Sequence, residues 1–270
     1  MAGAPPALPH TRFSSLGCLD TWLVDLTSAT ELLCAIAHER GLIESSARPG
    51  DLPASRPTPR EATHAALRIL LAGYVGVPQA ARPFLIASGG KPSLATSSGL
   101  TPQFSLAHCE TLAIIAISHE GPVGIDLEVP RSIRIADDRR AKIVEVAASL
   151  CPATPLPEGS ADARFLQAWT RLEALAKATG EGIGGLLERL LRGPSATRSP
   201  PAVSQIFVRD VIATCQSPCF AAVAGVGRSL AAASPSPVAS ALPLERTWLE
   251  AWLDGGANFG ATEGRPSPQR

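Results

Sequence analysis

The sequence predicts an α+β protein of two lobes. Runs with helical apolar spacing alternate with β-branched or alternating runs, in the order helix, strands, helix, strands, and proline-rich breaks divide them. The 270 residues are 45% hydrophobic, enough to bury a core without disulfide staples. The expected organisation is a loose leader at 1–20, an N-terminal lobe at 21–129, a C-terminal lobe at 130–227 and a Pro/Ala/Ser-rich tail at 228–270.

Taken in order, TWLVDL from Thr21 reads as a strand and SATELLCAIAHERGLI as a helix capped by Ser28. ARPGDLPASRPTPR has four prolines and reads as loop, and EATHAALRILLAGYVGV resumes a helical period with Ala and Leu inward. PFLIAS, QFSLAH, LAIIAIS and VGIDLE read as strands of a small sheet. A helix is expected over Ile135–Leu150 and a second over ADARFLQAWTRLEALAKATG, stopping at Gly180. VSQIFVRDVIA and CFAAVAGVG read as a closing pair of strands. The tail holds one amphipathic segment, LERTWLEAWL, expected to be mobile or to dock weakly.

Composition excludes several function classes. Acidic and basic residues number 24 each, so no global field favours nucleic acid or an anionic membrane surface. Any anion site must be local. No stretch approaches the roughly 18 apolar residues of a membrane span, and MAGAPPALPHTRFSS lacks the basic start and apolar run of an export signal. Six scattered cysteines, none in a CxxC arrangement, fit reduced thiols in a cytoplasmic protein.

Three segments carry chemistry. In VGIDLE the strand period puts Asp126 and Glu128 on one face, either as hard oxygen ligands for magnesium or as the wet side of an edge strand. In WTRLEALAKATG, spacings of four line up Trp169, Glu173 and Lys177, either as a metal and phosphate stripe or as a Trp anchor above a surface ion pair. In SGGKPSL, Gly89 and Gly90 allow close approach of the backbone to a ligand, and Lys91 beside the rigid Pro92 is a fixed cation. His108, at the end of the next strand, is a second phosphate donor or a packed core histidine.

The order GKP, FSLAHC, VGIDLE, WTRLEALAKATG resembles the Sfp-type phosphopantetheinyl transferase family, from about Arg60 to about Gly182 and more loosely to Ala224. The resemblance implies two similar α/β lobes related by a pseudo-two-fold, with the active site between them. It implies transfer of the 4'-phosphopantetheine arm of coenzyme A to a serine of an apo acyl or peptidyl carrier protein, leaving 3',5'-ADP and using magnesium, or manganese in its place. On this resemblance Asp126, Glu128 and Glu173 hold the metal, Glu173 acts as base, and Lys177 faces the coenzyme A pyrophosphate. Lys91 with Pro92, and His108, match the 3'-phosphate site, Arg68 matches an arginine of the first-lobe helix, and Arg60 lies near a further coenzyme A contact. A self-sufficient monomer is expected by the same analogy.

The chain departs from the family at Ala107 and Cys109, where small hydroxyl residues flank the histidine, and at Leu172, where a lysine precedes the glutamate. Arg171, one place earlier on a helix that turns about 100° per residue, need not replace that charge. Residues 47–59 offer only Arg48 and Arg56 as first-lobe cations, and Arg139, Arg140 and Lys142 are candidates for meeting an acidic carrier or are a solvated helix face. Two other activities fit the same residues: a metal-dependent coenzyme A pyrophosphohydrolase, and a non-catalytic coenzyme A binding module.

Overall fold

The computed structural model describes residues 19–44, 56–87, 89–95, 101–152, 154–192, 206–215, 218–226 and 236–255, and it is mixed α and β. Residues 1–18 of the expected leader and Arg48 lie outside these residues, while Leu19 and Asp20, placed in that leader, begin the first strand. Two compact units emerge: the described residues of 28–83 and 243–270 form one, and those of 9–27 and 84–242 form the other.

The chain opens with β1 (Leu19–Asp25), which runs directly into α1 (Leu26–Glu39). The helix therefore starts before Ser28, the cap expected from sequence. Asp25 does that work: its carboxylate accepts from the amide of Thr27 at 2.9 Å, while the Leu26 amide donates to the Thr111 carbonyl. In the first unit α2 (Pro59–Val75) is held by a capping box, with Thr58 Oγ1 accepting from the Glu61 amide and Glu61 returning to the Thr58 amide. A short α3 (Val77–Ala80) follows.

The second unit contains β2 (Leu85–Ile86), β3 (Pro92–Ser93), β4 (Gln103–Cys109), β5 (Leu112–Ser118) and β6 (Val123–Glu128), then α4 (Asp137–Leu150), α5 (Ala161–Thr179) and α6 (Ile183–Arg192). It closes with β7 (Ile206–Asp210), β8 (Ile212–Ala213), β9 (Phe220–Val226) and β10 (Val238–Ala241), after which α7 (Arg246–Gly255) belongs to the first unit. One sheet has the order β4-β5-β1-β10-β8, a second β6-β9-β7, and β2 and β3 form a two-stranded ribbon. PFLIAS was expected as a full strand, yet among its described residues the ladder with β3 holds Leu85 and Ile86, and Gly90 at φ +80° folds the chain back and puts Lys91 just past a hairpin tip.

The segment ending in VRDVIA was expected as one strand and is two. Adjacent amides in a strand point opposite ways. Here the Val211 amide donates to Ala221 O at 2.9 Å and the Ile212 amide to Pro237 O at 2.8 Å, so the chain leaves one sheet for the other at that point. The antiparallel pairing of β7 with β9 agrees with the expected closing pair.

The three-stranded sheet lies between the larger sheet and the helices. Along β9, Ala221 and Val223 join a core with β1, β4, β5 and β6, while Ala222 and Ala224 join a second core with α4, α5 and α6. On β6, Val123, Ile125 and Leu127 face the first core. That alternation sends Gly124, Asp126 and Glu128 toward α5.

The tail beyond 227 is not loose where it is described. β10 pairs in parallel with β1 through Trp22↔Ser240 and Leu23↔Ala241. Within the first unit, α7 lays Trp252 on α2: the indole N–H donates to the carbonyls of Ile69 and Leu70 at 3.1 and 3.3 Å, in space left open by Gly73. A Cβ at Gly73 would stand 2.1 Å from the ring. Composition alone hid this, since Pro, Ala and Ser flank the apolar residues that dock. Among the described residues no helix is long and apolar enough to cross a membrane.

Candidate active site

The face that β6 turns toward α5 carries the candidate acids, and glycine sets how near the helix comes. A Cβ at Gly124 would meet Ala174 O at 2.0 Å and Ala178 N at 2.4 Å, so α5 rests on bare backbone there. Helix α5 is well bounded, with Ser160 Oγ accepting from the Ala163 amide and Gly180 closing it in the left-handed region at φ +70°. It delivers Lys177 to β6. The ammonium donates to Asp126 Oδ1 at 2.7 Å and to the carbonyls of Ile125 and Leu106 at 3.1 and 3.5 Å.

Asp126 is buried, 7% exposed, which rules out the reading of a wet strand face at that position. Burial pushes its carboxyl up to about 6; the nearby Lys177 charge opposes this, and Glu173 and Glu128 add to it. Glu173 is also raised, first by burial, with Lys177 opposing and Glu128 reinforcing. Glu128 accepts from Arg131 Nη2 at 3.0 Å, and Cys109 Sγ lies 3.9 Å from the same carboxylate oxygen. Cys109, where the family carries a hydroxyl, is thus turned toward an acid.

The seam between β4 and β6 is closed by side chains. Ser105 Oγ, buried, accepts from the Ile125 amide at 3.1 Å, and Lys91 Nζ donates to Val123 O at 2.8 Å. Burial lowers Lys91 to about 8. Gly89 of the same hairpin touches the end of α5, where a Cβ would meet Gly180 O at 2.2 Å. A pocket of about 250 Å³ results, lined by Gly90, Lys91, Pro92, Leu106, Glu173 and Lys177 among others. His108 lies two residues beyond Leu106 on the same strand, exposed, and is not among the lining residues.

Other candidates stand elsewhere. Arg60, exposed, and Arg68, half-buried, are on α2 in the first unit; Arg68 donates to the carbonyls of Ala80 and Arg82. Trp169 stacks on Phe165 at 6.0 Å, so the stripe predicted on α5 is divided between a packed aromatic and the two charged residues. Arg140 is drawn inward, donating to Asp162 and Ile133 O and covering Phe165, which leaves Arg139 and Lys142 of the predicted basic face. These two line a larger groove of about 660 Å³ between α4 and α6 that holds none of the three acids.

Sequence reasoning missed Arg171. It is wholly buried and forms a two-pronged pair with Asp210 of β7, at 2.7 and 2.6 Å, while its Nη2 also donates to Thr154 O. Gln167, one turn earlier, donates to the same Asp210 at 2.8 Å. The pair anchors α5 to the sheet two residues from Glu173. Asp210→Ala should lower stability by about 3–5 kcal/mol, because it strands a buried guanidinium. An unfolding free energy from denaturant titration lowered by less than about 1 kcal/mol would overturn that role.

Among the described residues no three His, Cys, Asp or Glu side chains stand as a ready metal-holding group. The donor chemistry nonetheless suits a hard divalent cation. Glu128 and Glu173 raise Asp126, and Glu128 raises Glu173, a mutual repulsion that a doubly positive ion relieves.

The fold and site define a mixed α/β protein in which Glu173 and two lysines, Lys91 and Lys177, line a small pocket, with Lys177 also paired to the buried Asp126, a chemistry suited to a phosphate ester. No family model matches the chain. It is 34% identical over 132 residues to slr0495 of Synechocystis sp. strain PCC 6803, named provisionally as a 4'-phosphopantetheinyl transferase, covering 47% of this chain and 51% of that one. It is 36% identical over 125 residues to the 4'-phosphopantetheinyl transferase HetI of Nostoc sp. strain PCC 7120, covering 45% and 52%. The chain therefore spans about half the length of the curated relatives it matches. Both relatives are thus named for the same transferase activity.

Proposed function

We propose that this protein transfers the 4'-phosphopantetheine arm of coenzyme A to a serine hydroxyl of an apo carrier protein, releasing 3',5'-ADP, as a magnesium-dependent monomer of the cytoplasm. The observation that carries the proposal is the meeting of Asp126 and Lys177, with Glu173 beside the pocket that Lys91 lines. Relatives named for this activity support it.

In this reading Lys91 and His108 meet the 3'-phosphate, and Lys177 exchanges its backbone carbonyl partners for the pyrophosphate. Asp126, Glu128 and Glu173 would hold the divalent ion, which when bound supplies positive charge to polarise the phosphoryl group. Glu173 takes the serine proton, a task helped by a carboxyl that burial already makes more basic. Lys177 offsets the negative charge that builds on the departing 3',5'-ADP.

Intact-mass spectrometry of an apo carrier protein with coenzyme A and magnesium tests the proposal. One added phosphopantetheine arm, lost with chelator, supports it. Release of 3',5'-ADP without a carrier would instead indicate a hydrolase, and binding without either reaction a coenzyme A module.

Lys91 gives a pH signature. Its ammonium is the anion-binding form and is populated below about 8, so coenzyme A affinity should weaken as pH rises from 7 to 9, toward about tenfold per unit at the upper end. Calorimetric titration should find that Lys91→Met removes this dependence; a flat wild-type profile would exclude Lys91 from the site. Stability moves the other way. The folded pKa lies below the unfolded one, so the unfolded chain holds more protons between about 8 and 10.5, and this group's contribution to stability rises with pH there.

A further inference from the structure

Cys215 follows β8 and Cys219 directly precedes β9. The sulfurs of Cys215 and Cys219 are 3.3 Å apart. Both thiols are reduced and half-buried, resting on the apolar core between the two sheets. Other described cysteines are placed differently: Cys34 and Cys151 are buried, and Cys109 faces Glu128. The two sulfurs need to approach by only roughly 1.2 Å to reach the ~2.05 Å of a disulfide bond.

We propose that Cys215 and Cys219 are a reversible dithiol–disulfide pair that stiffens the start of β9. The inference goes beyond the transferase reading and does not depend on it. A disulfide oxidant such as oxidised glutathione completes the chemistry. The Cys215 thiolate attacks one glutathione sulfur, and the first glutathione leaves as thiolate. Cys219 then attacks the Cys215 sulfur of the mixed disulfide, its proton passing to the departing second glutathione. Two protein thiols lose two electrons in all, and one oxidised glutathione becomes two reduced molecules. Burial and the neighbouring thiol push the Cys219 thiol up, and the route is written with Cys215 as the first attacking sulfur. A dithiol reductant reverses both steps, as suits a protein in a reducing compartment.

The location gives the bond a consequence. Cys219 directly precedes Phe220, the register partner of Glu128 on β6. Closing the loop there restrains the strand end that lies against a candidate acid.

The test uses the full chain. Arg209 and Arg228 bracket both cysteines with no Lys or Arg between them, so one tryptic peptide, 210–228, reports the pair. The protein is exposed to oxidised glutathione, quenched in acid, alkylated with N-ethylmaleimide and digested. The expected result is a peptide about 2 Da lighter than its reduced form and carrying no alkyl group, restored to double alkylation by dithiothreitol. Double alkylation after oxidation, two stable glutathione adducts, or a link from this peptide to another cysteine would each overturn the pairing. Cys219→Ser should stop at a glutathione adduct on Cys215, and a Cys215 that stays fully alkylatable in that variant overturns the exchange route. Amide hydrogen exchange across 219–221 should slow at least several-fold on oxidation. Equal exchange in the two states overturns the stiffening.

Discussion

Glu173→Gln should fold as the parent does and transfer phosphopantetheine about 10²–10⁴-fold more slowly. The side chain is half-buried on α5 and lines the pocket, and its carboxyl is raised by burial and by Glu128. Glutamine keeps its shape and hydrogen-bonding length but cannot accept a proton. No hydrogen bond within the fold depends on this carboxylate among those described, so unfolding should be unchanged or slightly harder once the repulsion with Asp126 and Glu128 is gone. Coenzyme A titration separates the two contributions of the residue. A loss confined to turnover assigns the proton, whereas a loss of affinity restored by higher magnesium assigns the metal. Retention of more than about a tenth of parental turnover would remove Glu173 from the chemistry.

The second large effect falls on a residue with no side chain. Gly124→Ala should destabilise the protein by about 3 kcal/mol and lower transfer with it. The added methyl meets the Ala174 carbonyl oxygen, the Ala178 nitrogen and Lys177 Cβ at 2.0, 2.4 and 2.9 Å. Two of these are helix backbone and cannot swing aside. The helix must lift from β6, which lengthens the 2.7 Å contact of Lys177 with Asp126 and moves Glu173 from both acids on the strand. Calorimetry and activity should fall together, in contrast to Glu173→Gln, where only activity falls. A Gly124→Ala protein with parental melting temperature and turnover would show that this close approach does not hold the site together.

Where periodicity is strong the sequence is easy to read. LAIIAIS, VGIDLE and the long helix ending at Gly180 appear where their patterns predict, because alternation and capping are local properties. The common face of Asp126 and Glu128 follows from the strand period alone. Boundaries set by distant partners are less visible. Nothing in VRDVIA marks the residue at which one amide turns to Ala221 and the next to Pro237, and nothing in a Pro/Ala/Ser-rich tail marks the indole that occupies the space over Gly73.

The site divides in the same way. The sequence by itself determined which residue types are available: acids at 126, 128 and 173, lysines at 91 and 177, and glycines at 89 and 124. Tertiary structure decided what each of them meets. Burial separates Asp126 from an ordinary surface carboxylate, and close backbone contact at Gly89 and Gly124 brings the hairpin and the strand to one helix. It also turned Arg171 inward to Asp210, left His108 exposed, and set two cysteines four residues apart within 3.3 Å. Residue type and period are encoded over a few neighbours. Desolvation and interatomic distance depend on segments far apart in the chain, and they exist only once the sheets and helices have closed on each other.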